Sequence, residues 1–115
     1  MIQLFKVCNH NIDTSKFSNL LHDNVVEEFE KTIADYVGAK YACSINSATN
    51  AIFLTMLNKQ QIVNIPSMIH PVVANAIITA GNYINFTDNV DWVGDSYVLH
   101  KFDDYKIIDT AQNVD

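Results

Sequence analysis

Glycine and proline are scarce, three and two among 115 residues, and no stretch rich in either divides the chain. Nor is there an internal repeat or a low-complexity run, so nothing in the sequence marks a linker between domains. Long hydrophobic runs are missing too. The most apolar stretch is interrupted by Asn75 and Thr79, well short of what a bilayer span requires. The opening MIQLFKVCNHN has neither the apolar core nor the small-residue cleavage site of a secretory signal, which makes a cytoplasmic protein without a membrane partner the expectation. Cysteine is limited to Cys8 and Cys43, whose separation is no zinc pattern, so reduced and packed thiols are expected. The sequon Asn85-Phe86-Thr87 would matter only in a secreted chain. Basic clusters are absent: seven lysines are scattered among 13 acidic residues, the net charge is -6, and nucleic acid is excluded as an expected partner.

What is present is apolar material. With 49% hydrophobic and 17% charged residues the chain can bury one core and has too little for two. Val25, Phe29, Ile33 and Tyr36, with Val26 and Val37 beside them, recur at helical spacing and end at Gly38, which predicts an amphipathic helix. Tyr41–Ile45 reads as a short strand that turns at Asn46-Ser47 into a buried helix over Thr49–Leu57. Ile62–Ile65 is a second strand, closed by Pro66, and Pro71 opens a helix running through Ala80 to Gly81. Tyr83–Phe86, Ser96–His100 and Tyr105–Asp109 are three further strand candidates. Strands alternating with helices predict an α/β three-layer sandwich, a mostly parallel sheet of about five strands with helices on both faces.

In such a sheet ligands sit at the C-terminal ends of the strands, where the following helices point their N-termini. Ser47, Ala48 and Thr49 occupy one such turn, and their N–H groups and two hydroxyls could surround a phosphate. On spacing alone, Ser47 as a helix N-cap is the simpler account. Asp109, Thr110 and Gln112 follow the apolar pair Ile107-Ile108 at another strand end, where an aspartate is ordinarily a loop cap or a solvated group. His70 alone reads as a helix-start residue or a partly buried polar group.

Together these segments resemble the DegT/StrS family of pyridoxal-phosphate (PLP) aminotransferases that modify sugars. VVEEFEKTIADYVGAKYACSINSATNAIFL (Val25–Leu54) is similar to the family's opening helix, strand and Ser-Gly-Thr turn. IPSMIHPVVANAIITAG (Ile65–Gly81) resembles its proline-ended strand and following helix, and IIDTAQ (Ile107–Gln112) its Asp-x-Ala-Gln signature. The resemblance implies that Ser47, Ala48 and Thr49 bind the cofactor phosphate, with Ala48 standing where the family has glycine. It implies that His70 takes the place of the aromatic ring stacked on the cofactor, behind Ile69 where the family has threonine. It implies that Asp109 pairs with the pyridine nitrogen and that Gln112 lies near the ring's phenolic oxygen.

The same resemblance implies an omission. The Schiff-base lysine of the family lies well beyond the Asp-x-Ala-Gln strand, and the sequence stops at Asp115, so no catalytic residue is assigned and the lone chain is expected not to transaminate. Lys101, near a strand end, reads as a solvated surface lysine. In the family sheet the first strand reaches the others only through strands six and seven. Closing that gap would bring the Ser47 turn about 10 Å toward Asp109, given a strand spacing of about 4.8 Å. The expectation is therefore a reduced aminotransferase-like domain over residues 24–115, preceded by an N-terminal arm over residues 1–23, with its PLP site distorted or lost. Open sheet edges make a homodimer or a complementing chain the expected partner. Asp88, Asp91 and Asp95 lack calcium-loop spacing, and His10, His22, His70 and His100 form no i,i+4 pair, so no metal is expected. Two further functions compete with a non-catalytic domain: the PLP-binding half of a split aminotransferase, and a small α/β domain holding another phosphorylated ligand.

Overall fold

The computed structural model describes Asp13, Ser15 and residues 24–112. They fall into two compact units that divide between Ser44 and Ile45. The arm expected over residues 1–23, with Cys8, His10 and His22, lies outside the described residues, Asp13 and Ser15 apart.

In the first unit, α1 spans Asn24–Val37. Its end follows from Gly38, whose φ of 68° lies in the left-handed region that side chains disfavour. Ala39 then donates to the Ala34 carbonyl and Gly38 to that of Asp35, the paired bonds of a Schellman stop. The predicted apolar face exists as a stripe but is uncovered: Val26, Phe29 and Tyr36 are exposed and Ala34 is buried. Tyr41–Ile45, expected as a strand, forms none. A strand needs a neighbouring ladder, and here the Ser44 N–H and hydroxyl both donate to Glu30 Oε1, each at 2.7 Å. Cys43 is exposed, which corrects the expectation of a packed thiol.

The second unit begins with α2 (Ala48–Met56) and continues through β1 (Ile62–Pro66), α3 (Pro71–Thr79) and β2 (Tyr83–Thr87). β1 and β2 pair in parallel, in the register Ile62↔Tyr83 to Pro66↔Thr87, across the helical crossover that parallel pairing demands. α3 starts with Pro71 in its first turn and ends in a second Schellman stop, with Gly81 at φ 85° and Asn82 donating to the Ile77 carbonyl. Both helices place apolar side chains against β1. Ile52, Met56, Val63, Ile65, Val73 and Ile77 are buried together, and Leu99 from the next strand completes the core.

β3 (Tyr97–Lys101) and β4 (Lys106–Asp109) form a separate antiparallel pair. The expected parallel sheet of about five strands is thereby corrected, among the described residues, to two sheets of two strands each. The cause is the link: Phe102–Tyr105 is far too short for a crossover and can only close a hairpin. Phe102 N–H donates to the Tyr105 carbonyl at 2.8 Å and the two rings stack with centroids 4.5 Å apart. A bulge between Val98 and His100 interrupts the ladder at Leu99, the residue that enters the core. The register sets Lys101 directly opposite Lys106, two like charges across a strand pair. Lys106→Glu should raise hairpin stability by about 0.2–1 kcal/mol, read as a higher thermal midpoint that high salt abolishes.

Candidate functional site

Residues of the second unit enclose a cavity of about 180 Å³. Its floor is apolar, built from Ile52, Ile69 and Val73. Its polar wall comes from five places in the chain: the start of α2, the residue before α3, the segment before β3, the facing ends of β3 and β4, and the turn after β4.

At the start of α2, Ser47 takes extended backbone angles and its Oγ accepts the Asn50 N–H at 3.2 Å. It is therefore the N-cap that spacing suggested, and Ala48 and Thr49 are the residues of this turn that line the cavity. The first-turn N–H groups of a helix lack intrahelical acceptors, so this corner is electropositive. His70 caps α3 in the same manner, its Nδ1 accepting the Val72 N–H at 3.3 Å. That bond assigns the ring proton to Nε2 and leaves an exposed imidazole on the cavity rim.

Asp109 ends β4 and faces Tyr97 directly across the hairpin. Its Oδ2 accepts the Tyr97 hydroxyl at 3.0 Å and its Oδ1 accepts the Ala111 N–H at 3.0 Å. Each oxygen keeps a further lone pair for a donor in the cavity. Gln112 Oε1 accepts the Gly94 N–H, which ties the turn after β4 to the segment before β3. Asp95 also lines the cavity, with Oδ1 accepting the Ser96 N–H at 2.7 Å.

The structure thus brings Ala48, Thr49, His70, Asp109 and Gln112 to one cavity, with Ser47 holding the helix behind two of them. Trp92 and Tyr97, which the sequence did not single out, line it as well. Trp92 sits edge-on to Tyr97 with centroids 5.7 Å apart, and its buried Nε1–H meets no acceptor among the described residues. For Tyr97 a signal existed: it alternates with buried Leu99 along β3, so both point inward. For Trp92, in the turn-rich stretch before β3, there was none. Among the described residues no lysine lines the cavity, and no three His, Cys, Asp or Glu side chains cluster as metal donors. None of the described helices is long and apolar enough to cross a membrane.

Burial first, then the charge of Asp109 and the bond to it, push the Tyr97 phenol well above its ordinary range. A raised phenol value favours the protonated folded form, so this contribution to stability is complete below the ordinary phenol range and lost as pH rises beyond it. Asp109→Asn removes the neighbouring charge and should bring Tyr97 ionisation down toward the ordinary range. Tyrosinate absorbance measured against pH checks the shift.

The N-terminus of α2 and the Asp109 carboxylate thus both lie on the lining of one cavity in the second unit. The chain belongs to the DegT/DnrJ/EryC1/StrS aminotransferase family, whose sequence pattern matches residues 7–98. The match takes in Ser47, Ala48, Thr49 and His70 and ends before Asp109 and Gln112. The chain is 37% identical over 92 residues to the UDP-4-amino-4,6-dideoxy-N-acetyl-beta-L-altrosamine transaminase of Campylobacter jejuni subsp. jejuni serotype O:23/36, covering 70% of this chain and 24% of the relative. The protein of the same name from serotype O:2 gives the same figures. The chain therefore spans about a quarter of the length of the curated relatives it matches. No solved structure matches it significantly.

Proposed function

We propose that the second unit is the cofactor-holding part of a PLP-dependent aminotransferase acting on a nucleotide-linked sugar. The observation that carries this is the gathering of Thr49, His70, Asp109 and Gln112 around one cavity, although they lie far apart in sequence. The residues fit the group: a pyridine ring with a phosphate arm offers an anion for the α2 N-terminus and a ring N–H for a carboxylate. When bound, PLP supplies an electron sink that is strongest while its ring nitrogen is protonated. Asp109 would hold that proton at the nitrogen. The N–H groups of Ala48 and Thr49, with the Thr49 hydroxyl, would receive the phosphate. His70 would pack against the ring, and the Gln112 amide would be a donor to its oxygen. The nucleotide sugar follows from the names of the curated relatives, and a cytosolic location with a homodimer or complementing chain belongs to the same picture.

Transamination also needs an amine to anchor the cofactor and move a proton. Among the described residues no lysine lines the cavity, so the role proposed for the residues named here is to hold the cofactor rather than to react with it. Calorimetric titration with pyridoxamine 5'-phosphate, which has no aldehyde to react with surface lysines, tests this. Saturable binding that Thr49→Val and Asp109→Ala each weaken is the expected result. Binding weakened by Thr49→Val alone would identify a general phosphate pocket instead, and no binding would leave a scaffold.

A further inference from the structure

We infer that Tyr97 is a positioning residue: its hydroxyl fixes the Asp109 carboxylate in the orientation that meets a ring nitrogen in the cavity. The inference rests on the PLP reading and adds to it a residue that no motif of the chain contains.

Three observations carry it. First, the hairpin register places Tyr97 directly opposite Asp109, so the contact is built into the backbone pairing rather than left to a flexible loop. Second, the carboxylate is held at both ends, Oδ2 by the Tyr97 hydroxyl and Oδ1 by the Ala111 N–H, each at 3.0 Å. Rotation about the side chain would break both bonds together. Third, Tyr97 is itself immobilised: half-buried, packed against the hydrophobic core, and met edge-on by Trp92. The phenol stays protonated across the neutral range, so its hydroxyl keeps the proton it donates to the carboxylate. A carboxylate already ordered in the free protein loses no rotamer freedom when a ligand arrives.

The hairpin is also what makes the contact possible. Had a helical crossover joined β3 to β4 in parallel, the first residue of one strand would lie beside the first of the other, and Tyr97 would sit a strand length from Asp109. The short Phe102–Tyr105 link sets the start of β3 against the end of β4 instead.

The test is a double-mutant cycle on the full chain with Tyr97→Phe, Asp109→Asn and the pair, using pyridoxamine 5'-phosphate and inorganic phosphate as probes. Tyr97→Phe should weaken pyridoxamine phosphate about 2- to 13-fold, the worth of one hydrogen bond, and leave phosphate binding unchanged. In the Asp109→Asn background the same change should cost almost nothing, because no carboxylate remains to be oriented. A Tyr97→Phe protein that binds as wild type while Asp109→Asn does not would overturn the inference and leave the cofactor reading standing. Equal weakening of both probes, or full additivity, would reduce Tyr97 to a packing residue and overturn it as well. Failure of the unaltered chain to bind pyridoxamine phosphate would overturn both. Without any ligand, a Tyr97 that ionises in the ordinary phenol range and ignores Asp109→Asn would remove the contact itself.

Discussion

Asn82→Ala is expected to lower the unfolding free energy by about 2–4 kcal/mol, a large fraction of the roughly 5–15 kcal/mol that holds a domain of this size together. Among the described residues Asn82 is the buried polar one of the second unit, 4% exposed, and three chain segments bond to it. Its Oδ1 accepts the Gln61 N–H at 3.0 Å, and its Nδ2 donates to the Met56 carbonyl at 2.7 Å and the Ile77 carbonyl at 3.3 Å. It therefore satisfies the ends of α2 and α3 and the approach to β1 at a point water does not reach. Alanine leaves the Gln61 N–H without its acceptor and takes one of two donors from the Met56 and Ile77 carbonyls, which keep the Lys59 and Asn82 backbone N–H groups. A buried polar group left unpaired costs more than its bond was worth when made. Asn82→Asp should be worse at neutral pH, since it loses both amide donors and buries a charge. Its folded carboxyl would sit above the ordinary range, so the penalty should shrink as pH falls and the group protonates. Urea unfolding at two pH values measures both effects. Asn85→Ala, which breaks an exposed pairing with Asn64, should change stability by less than about 0.5 kcal/mol.

Asp109→Ala should weaken binding of pyridoxamine 5'-phosphate by about 10- to 150-fold, the range for losing a hydrogen bond to a charged group. The carboxylate is the acceptor in the cavity that both Tyr97 and Ala111 orient, and alanine would leave a ligand N–H there without that partner. Affinity for inorganic phosphate should hold, because the α2 N-terminus is untouched. Thr49→Val should lower both affinities. Loss of pyridoxamine phosphate affinity alone in Asp109→Ala, against loss of both affinities in Thr49→Val, would show that the carboxylate and the anion-binding turn contact different parts of the ligand.

Much of the secondary structure was legible because it depends on local chemistry. Pro71 and Gly81 bracket α3, Gly38 closes α1, and Pro66 ends β1, each through a backbone constraint that operates within a few residues. Pairing was less legible, since it is settled between segments. Tyr41–Ile45 has the composition of a strand, but Ser44 spends its donors on Glu30. The antiparallel hairpin could have been read from the Phe102–Tyr105 link, whose length forbids a parallel crossover, had composition not suggested a uniform α/β alternation. The residues singled out in the sequence meet at one cavity because each lies at or beside a strand end or helix start, where the chain turns and its backbone is unsatisfied. Asn82 went unseen for the opposite reason: a polar residue beside Gly81 looks like ordinary loop, and its burial arises only once two helix ends and a strand converge on it.

Trp92, the chain's single tryptophan, lines the cavity and can report its occupancy. Titrating PLP into the full chain should quench its fluorescence saturably, with the curve displaced to higher concentration by Asp109→Ala and by Thr49→Val. A linear, unsaturating response, or one that neither substitution moves, would contradict the assignment of this cavity to the cofactor.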